Sequence, residues 1–231
     1  MRVVFIEAQY EGEVELCQDT LDYIKKYKKV ALYAAIQFCN NLDKVKEQLE
    51  ELGIEVITSQ PKRTGCSGQL LGCDSAKDSL NLNEEVDAFL YIGDGKFHPQ
   101  ALAYGQDKDV ICDDPIGKKF CLITKEELSA NLKRAKGALV KFHSSSSVGV
   151  IVTLKPGQEF YKASLALEKK YPDKKFYYFI DNNISFNQLE NFPFIDVWIN
   201  TACPRIGFDD QEMFRKGVVN LREVVSQTKS L

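Results

Sequence analysis

Apolar side chains recur along this chain in two alternating forms, short continuous runs and stripes at helical spacing. Residues 3–8 are apolar and β-prone, and residues 12–27 then carry Val14, Leu16, Leu21 and Ile24 at roughly helical intervals. Residues 30–36 form a continuous apolar run, as a strand covered on both faces requires. Residues 41–52 place Leu42, Val45, Leu49 and Leu52 on one stripe, an amphipathic helix with Gly53 as its stop. Residues 54–58 read as a strand. Residues 59–73 hold Pro61, Gly65, Gly68 and Gly72 and read as a long loop, an element often tied to function. A strand over 86–92 ends in Gly93-Asp94-Gly95, a helix over 97–103 carries Pro99 near its start, and 109–112 closes the unit as a short strand.

A second unit follows the same outline. Thr124 is a good helix N-cap, and Glu127 three residues on completes a capping box for a helix reaching Phe142. Residues 144–147 are a polar break. Strands are then expected over 148–154, 175–180 and 195–201, with helices over 157–170 and 185–191 between them. Residues 210–231 read as helical at first, without a clear continuation. The repeated order of strand, helix, strand, helix and strand predicts an α/β fold: two related small parallel-sheet domains with helices on both faces and right-handed crossovers. The expected division is residues 1–124 and 125–231. Ligands of such sheets bind beyond the carboxyl ends of the strands. Gln37, Gly93-Asp94-Gly95, residues 154–158 and residues 201–205 all stand at such ends.

Composition narrows the classes. Hydrophobic residues make up 44% and charged residues 27% of 231 positions, ordinary for a globular protein. A net charge of −3 gives no reason to expect general nucleic-acid affinity. The lysine clusters at Lys25, Lys26, Lys28 and Lys29 and at Lys169, Lys170, Lys174 and Lys175 fall near expected helix ends, where cations complement the dipole and stay solvated. The first residues are too quickly acidic for a signal peptide, and no stretch approaches the ~20 apolar residues of a membrane span. A cytosolic chain is therefore expected. Seven cysteines, an odd number, then argue against a disulfide framework. Cys17, Cys39, Cys112 and Cys121 read as buried thiols.

Two other cysteines carry the candidate chemistry. Cys73, in Gly68-Gln69-Leu70-Leu71-Gly72-Cys73-Asp74, and Cys203, in Thr201-Ala202-Cys203-Pro204-Arg205-Ile206, stand beyond or close to expected strand ends, where a side chain can face a cleft. They are too far apart in the chain for one local finger. They act together only if the two α/β units bring them to one place. Thiolates are the natural ligands of iron–sulfur clusters and soft metals, and no paired C-x-x-C offers a zinc ribbon or a thioredoxin-type site. With only two histidines, His98 and His143, a histidine-rich metal site is disfavoured. Quiet packing of both thiols is the competing reading. Gly93-Asp94-Gly95 is either a phosphate loop or a plain tight turn, and no P-loop pattern supports the former. Arg205 either grips a ligand carboxylate or pairs with Asp209 or Asp210. Gln69, Lys155 and Gln158 are further polar anchors, and Trp198 is read as core.

On these residues the chain resembles the diphthamide synthesis proteins. The matching segments are Ala35-Ile36-Gln37, the stretch from Gly68 to Asp74, Tyr91-Ile92-Gly93-Asp94-Gly95-Lys96-Phe97-His98-Pro99, Leu154-Lys155-Pro156-Gly157-Gln158, Asn191-Phe192, and Thr201 to Ile206 followed by Asp209-Asp210. They recur in family order over nearly the whole chain. The resemblance implies related α/β domains that each give one cysteine to a [4Fe–4S] cluster. It implies S-adenosylmethionine as co-substrate, cleaved by radical chemistry, with its aminocarboxypropyl group joined to a histidine of translation elongation factor 2. Cys73 and Cys203 are then cluster ligands, and Gln37, Gln69, His98, Lys155, Gln158 and Arg205 candidates for the cofactor pocket. The resemblance begins at the family's middle domain. The third thiolate is therefore expected from a homodimeric or heterodimeric partner chain, or from Cys66 or Cys39. A non-catalytic partner of a complete synthase, an offshoot acting on another substrate and a cluster-free α/β binding protein are the alternative readings.

Overall fold

A computed structural model describes residues 4, 8–155, 158 and 160–225. The strand expected over residues 3–8, and Pro156 and Gly157, lie outside the described residues or nearly so. The chain divides into two units, Met1–Glu127 and Leu128–Leu231.

The first unit is a five-stranded sheet in the order β2-β1-β3-β4-β5, formed by β1 (Lys29–Ala34), β2 (Glu55–Ile57), β3 (Ala88–Ile92), β4 (Asp109–Asp114) and β5 (Lys119–Ile123). β1 and β3 are buried along almost their whole length, which explains their unbroken apolar runs. Helices α1 (Gln18–Ile24) and α3 (Phe97–Gly105) pack on β4 and β5, and α2 (Asp43–Glu51) packs on β2. Tyr33, Tyr91, Phe38 and Phe89 are the largest buried side chains of this core, each worth about 1.5–3 kcal/mol of burial. Gly53 ends α2 at φ +74°, a left-handed conformation that suits glycine.

This unit departs from the sequence expectations at three points. The helix expected over residues 12–27 forms only from Gln18. Val14 and Leu16 are buried on either side of exposed Glu15, a period of two rather than a helical one, and the Leu16 N–H donates to Gln48 Oε1 at 2.8 Å. The sheet is also not wholly parallel, because β5 was not foreseen and runs antiparallel to β4. Nor are all four supposed core thiols buried. Cys112 is, whereas Cys17, Cys39 and Cys121 are half-buried.

The second unit opens within α4 (Lys125–Ser144), whose Thr124 Oγ1 accepts the Glu127 N–H at 3.3 Å as the capping motif requires. Its sheet runs β7-β6-β8-β9, from β6 (Ser147–Val152), β7 (Lys175–Ile180), β8 (Val197–Asn200) and β9 (Val218–Asn220), all parallel. Short helices α5 (Tyr161–Ser164), α6 (Ala166–Lys170), α7 (Phe186–Leu189), α8 (Ile206–Asp209) and α9 (Leu221–Val225) connect the strands. One face packs Val148, Val150 and Val197 on Phe142 and Leu167, and the other packs Ile151 and Trp198 on Phe186, Leu189 and Phe214. Helices therefore cover both faces. The first four strands of the first unit and the four strands of the second share one order, second-first-third-fourth. The repeat expected from sequence is a shared topology.

Three further departures belong here. The expected helix over 157–170 is two short pieces, and β9 with α9 occupies part of the segment read as helical beyond residue 210. Lys174 is not solvated. It is buried, and its Nζ donates to the carbonyls of His143 at 3.0 Å and Ser145 at 2.6 Å, capping the end of α4. Among the described residues no helix is long and apolar enough to cross a membrane.

Candidate functional site

Cys73 is presented by a braced loop at the carboxyl end of the first sheet. Residues 68–70 extend the pairing of β1: the Ala34 N–H donates to the Gly68 carbonyl at 2.7 Å, and the Leu70 N–H to the Ala34 carbonyl at 2.9 Å. Gly68 makes the turn with φ +77°. The chain then turns at 71–74, where the Asp74 N–H reaches the Leu71 carbonyl at 2.9 Å, and buried Asp74 accepts the Arg63 N–H at 2.5 Å. The N–H of buried Gly72 donates to His98 Nδ1 at 2.9 Å. An accepting Nδ1 carries no proton, so this ring is neutral with its hydrogen on Nε2. Cys73 is half-buried, open enough to reach a ligand and enclosed enough to be held.

Cys203 is positioned by asparagines. Asn200, at the end of β8, donates from Nδ2 to the Cys203 carbonyl at 2.8 Å and accepts the Ala202 N–H at 3.0 Å. The same Nδ2 donates to Asn220 Oδ1 at 2.8 Å, and Asn220 Nδ2 donates to the Pro204 carbonyl at 3.0 Å. A Cβ on Gly207 would stand 2.4 Å from Asn220 Oδ1, so only glycine lets α8 approach this network. The Ile206 N–H closes the turn on the Cys203 carbonyl at 3.0 Å. Cys203 itself is half-buried.

The other candidates take varied places. Gln37 lies in the 3₁₀ turn after β1 and lines a cleft of about 520 Å3 with Tyr10, Asp94, Asp114 and Gly117. Two carboxylates and an amide suit a cationic or amino group more than an anion. At Gly93-Asp94-Gly95 the phosphate-loop reading gains no support: the Gly93 N–H is taken by the Asp113 carbonyl of β4 at 2.9 Å, and Asp94 would repel a phosphate. Gln69 turns into its own loop, where Oε1 accepts the Gly65 N–H at 3.0 Å. His98 braces the Cys73 loop. Lys155 is exposed and Gln158 half-buried, and the Gln158 N–H donates to the Lys155 carbonyl at 3.0 Å. Arg205 is 4% exposed and pairs with Asp209 at 2.7 Å, the structural one of its two readings. Desolvation lifts the Asp209 carboxyl above its ordinary range, and the Arg205 guanidinium opposes that rise.

Among the described residues no group of three or more His, Cys, Asp or Glu side chains could hold a metal ion. The donor chemistry on view is two separately braced, half-buried thiols, Cys73 in one unit and Cys203 in the other. Soft sulfur on ordered backbone fits an iron–sulfur cluster as part of its ligand set. Sequence reasoning missed Asn200, Asn220 and Asp74. The signal for the asparagine was local, since Asn at a strand end favours side-chain-to-backbone turns.

The chain is 32% identical over 216 residues to the 2-(3-amino-3-carboxypropyl)histidine synthase of Pyrococcus horikoshii, an alignment that covers 91% of this chain and 60% of that protein. It matches the crystal structure of Dph2 from Pyrococcus horikoshii with a TM-score of 0.76 at 28% identity, over 93% of this chain and 62% of the other. The crystal structure of the same protein with a 4Fe-4S cluster matches with a TM-score of 0.73 at 30% identity, over 90% and 59%. The chain thus spans about 60% of the length of the archaeal synthases it matches. The sequence model of the diphthamide synthesis proteins covers residues 1–229, and the chain belongs to that family.

Proposed function

We propose that this chain is a component of a 2-(3-amino-3-carboxypropyl)histidine synthase, acting at the first step of diphthamide formation. In this reading Cys73 and Cys203 are ligands of a [4Fe–4S] cluster. The aminocarboxypropyl group of S-adenosylmethionine is transferred to a histidine of translation elongation factor 2. The units Met1–Glu127 and Leu128–Leu231 correspond to the family's middle and carboxyl-terminal domains. The supporting observation is that Cys73 in the first unit and Cys203 in the second are each half-buried on a loop braced by hydrogen bonds near a strand's carboxyl end. Family membership and a related structure that carries a 4Fe-4S cluster add to it.

The bound cluster would supply one electron and an anchoring iron for cleavage of the sulfonium bond. The chain's own residues have positioning tasks. His98 and the turn at 71–74 hold Cys73 in place, and Asn200 with Asn220 does the same for Cys203, so little ordering remains when the thiolates bind metal. Gln37, Asp94 and Asp114 offer acceptors for the amino group of the co-substrate. Lys155 offers an exposed cation for its carboxylate. This chain displays two thiols of the set, and a related chain in a homodimer or heterodimer supplies the third.

The test is transfer of label. The chain is reconstituted anaerobically with iron, sulfide and dithionite, alone and with a related full-length synthase, then given elongation factor 2 and carboxyl-labelled S-adenosylmethionine. Label on the factor's histidine from the chain alone, or in the mixture when the added synthase has been made inactive by itself, supports the reading. A cluster-bearing chain that gives label only where the added synthase is itself active points instead to the non-catalytic partner role.

A further inference from the structure

Cys112 and Cys121 are directly opposite residues in the antiparallel pairing of β4 and β5. Opposite residues of such a ladder point to the same face, with Cα atoms about 4.5 or 5.5 Å apart. Both values fall inside the ~4.4–6.8 Å separation that a disulfide spans without moving the backbone. Both thiols are free. Neither belongs to the braced loops that carry Cys73 and Cys203.

Their surroundings differ in a way that assigns roles. Cys112 is 4% exposed, whereas Cys121 is half-buried on the outermost strand, with Sγ 3.8 Å from the Leu122 carbonyl. Lys96, at the start of α3, interacts with Cys121 and with Glu127 at 3.4 Å. We propose that Cys112 and Cys121 form a reversible dithiol–disulfide site, oxidised by a low-molecular-weight disulfide such as glutathione disulfide.

Access makes Cys121 the point of entry. Its thiolate attacks one sulfur of the incoming disulfide, forming a mixed disulfide and releasing one small thiolate, which takes up the proton that Cys121 lost. The Cys112 thiolate then attacks the Cys121 sulfur. That step forms the Cys112–Cys121 bond and expels the second small thiolate, which takes up the Cys112 proton. Two protein thiols are oxidised by two electrons and one small disulfide is reduced to two thiols. Burial pushes the Cys112 thiol far up, and the charge of Cys121 adds to that rise while Lys96 opposes it. Conversion of Cys121 to a mixed disulfide removes its charge at the step where Cys112 must ionise.

Mass spectrometry of the full native chain tests this. The chain is held in glutathione disulfide, quenched by alkylation and digested. The expected result is a peptide linking Cys112 to Cys121, lost on treatment with dithiothreitol. Cys112→Ser and Cys112→Ala should both stop at a glutathione adduct on Cys121, and Cys121→Ser should leave Cys112 unmodified. Circular dichroism of each variant checks that the fold is kept. An adduct that persists on Cys121 of the parent chain without linkage would overturn the proposal, as would an unreacted Cys121. Cluster assembly at Cys73 and Cys203 does not enter this readout.

Discussion

His98 holds the residue before Cys73: its Nδ1 accepts the N–H of buried Gly72 at 2.9 Å, across 26 positions of sequence. The bond joins the first turn of α3 to the thiol loop. His98→Ala leaves a buried donor without its partner, at a cost of about 1–3 kcal/mol. We expect a lower melting temperature and faster loss of a reconstituted cluster in chelator. His98→Asn, whose amide oxygen can take the same N–H, should recover most of both. Equal loss in the two variants would show that the imidazole does more than accept this bond.

Gly207 and Asn220 make the corresponding prediction for Cys203. A methyl at Gly207 would meet the Asn220 side chain at 2.4 to 2.6 Å, displacing the amide that holds the Pro204 carbonyl. Overpacking of this kind costs about 1–3 kcal/mol. Gly207→Ala should lower the urea midpoint and increase the alkylation rate of Cys203 in the apo chain, while the rate at Cys73 stays unchanged.

Lys174 places a cation in the interior, although its lysine-rich neighbourhood reads as a solvated helix end. Its side chain is 3% exposed and satisfies two carbonyls at the end of α4. Lys174→Met keeps the stem and removes the donor to both carbonyls. A loss of about 1–3 kcal/mol in denaturant unfolding is expected, whereas Lys175→Met on the exposed neighbouring position should fall within about 0.5 kcal/mol of the parent.

Glu223 gives a pH signature. Burial raises its carboxyl above the ordinary 4.5, and the Asn220 N–H that it accepts at 2.9 Å only partly offsets this. A carboxyl raised in the folded state binds its proton more tightly there than in the unfolded chain. Its contribution is therefore fully favourable below the unfolded value and is lost as pH rises through the folded value. Glu223→Gln keeps an acceptor and removes the charge. It should raise the melting temperature at neutral pH and leave it unchanged below the ordinary carboxylate range; a uniform shift at both pH values would contradict this assignment.

The elements that sequence located best were those whose pattern is local and continuous. The strand at Lys175–Ile180 was expected with its observed bounds, and α2 with its glycine stop nearly so. Failures came where tertiary partners decide. Residues 12–17 stay extended because buried Val14 and Leu16 alternate with Glu15, and because Gln48 takes the Leu16 N–H. β9 is only three residues long and carries too little pattern to stand out. β5 pairs with β4 as a short antiparallel edge, which a rule of alternating strands and helices does not foresee. At the candidate site, the placement of the two thiols near strand ends was legible because each sits in a distinctive motif. Their braces were less so, since His98 read as a pocket residue and Asn220 lay in a stretch read as helical at first, without a clear continuation.

Anaerobic reconstitution of three single variants tests the central claim most directly. With iron and sulfide supplied, and a related chain present to complete the ligand set, Cys73→Ala and Cys203→Ala should each lose the visible charge-transfer absorbance of the cluster on this chain. Cys17→Ala, remote from both loops in sequence and bonded to Thr20 through its sulfur at 3.3 Å, should keep it. Equal absorbance and equal iron content in all three variants would contradict the assignment of Cys73 and Cys203 as ligands.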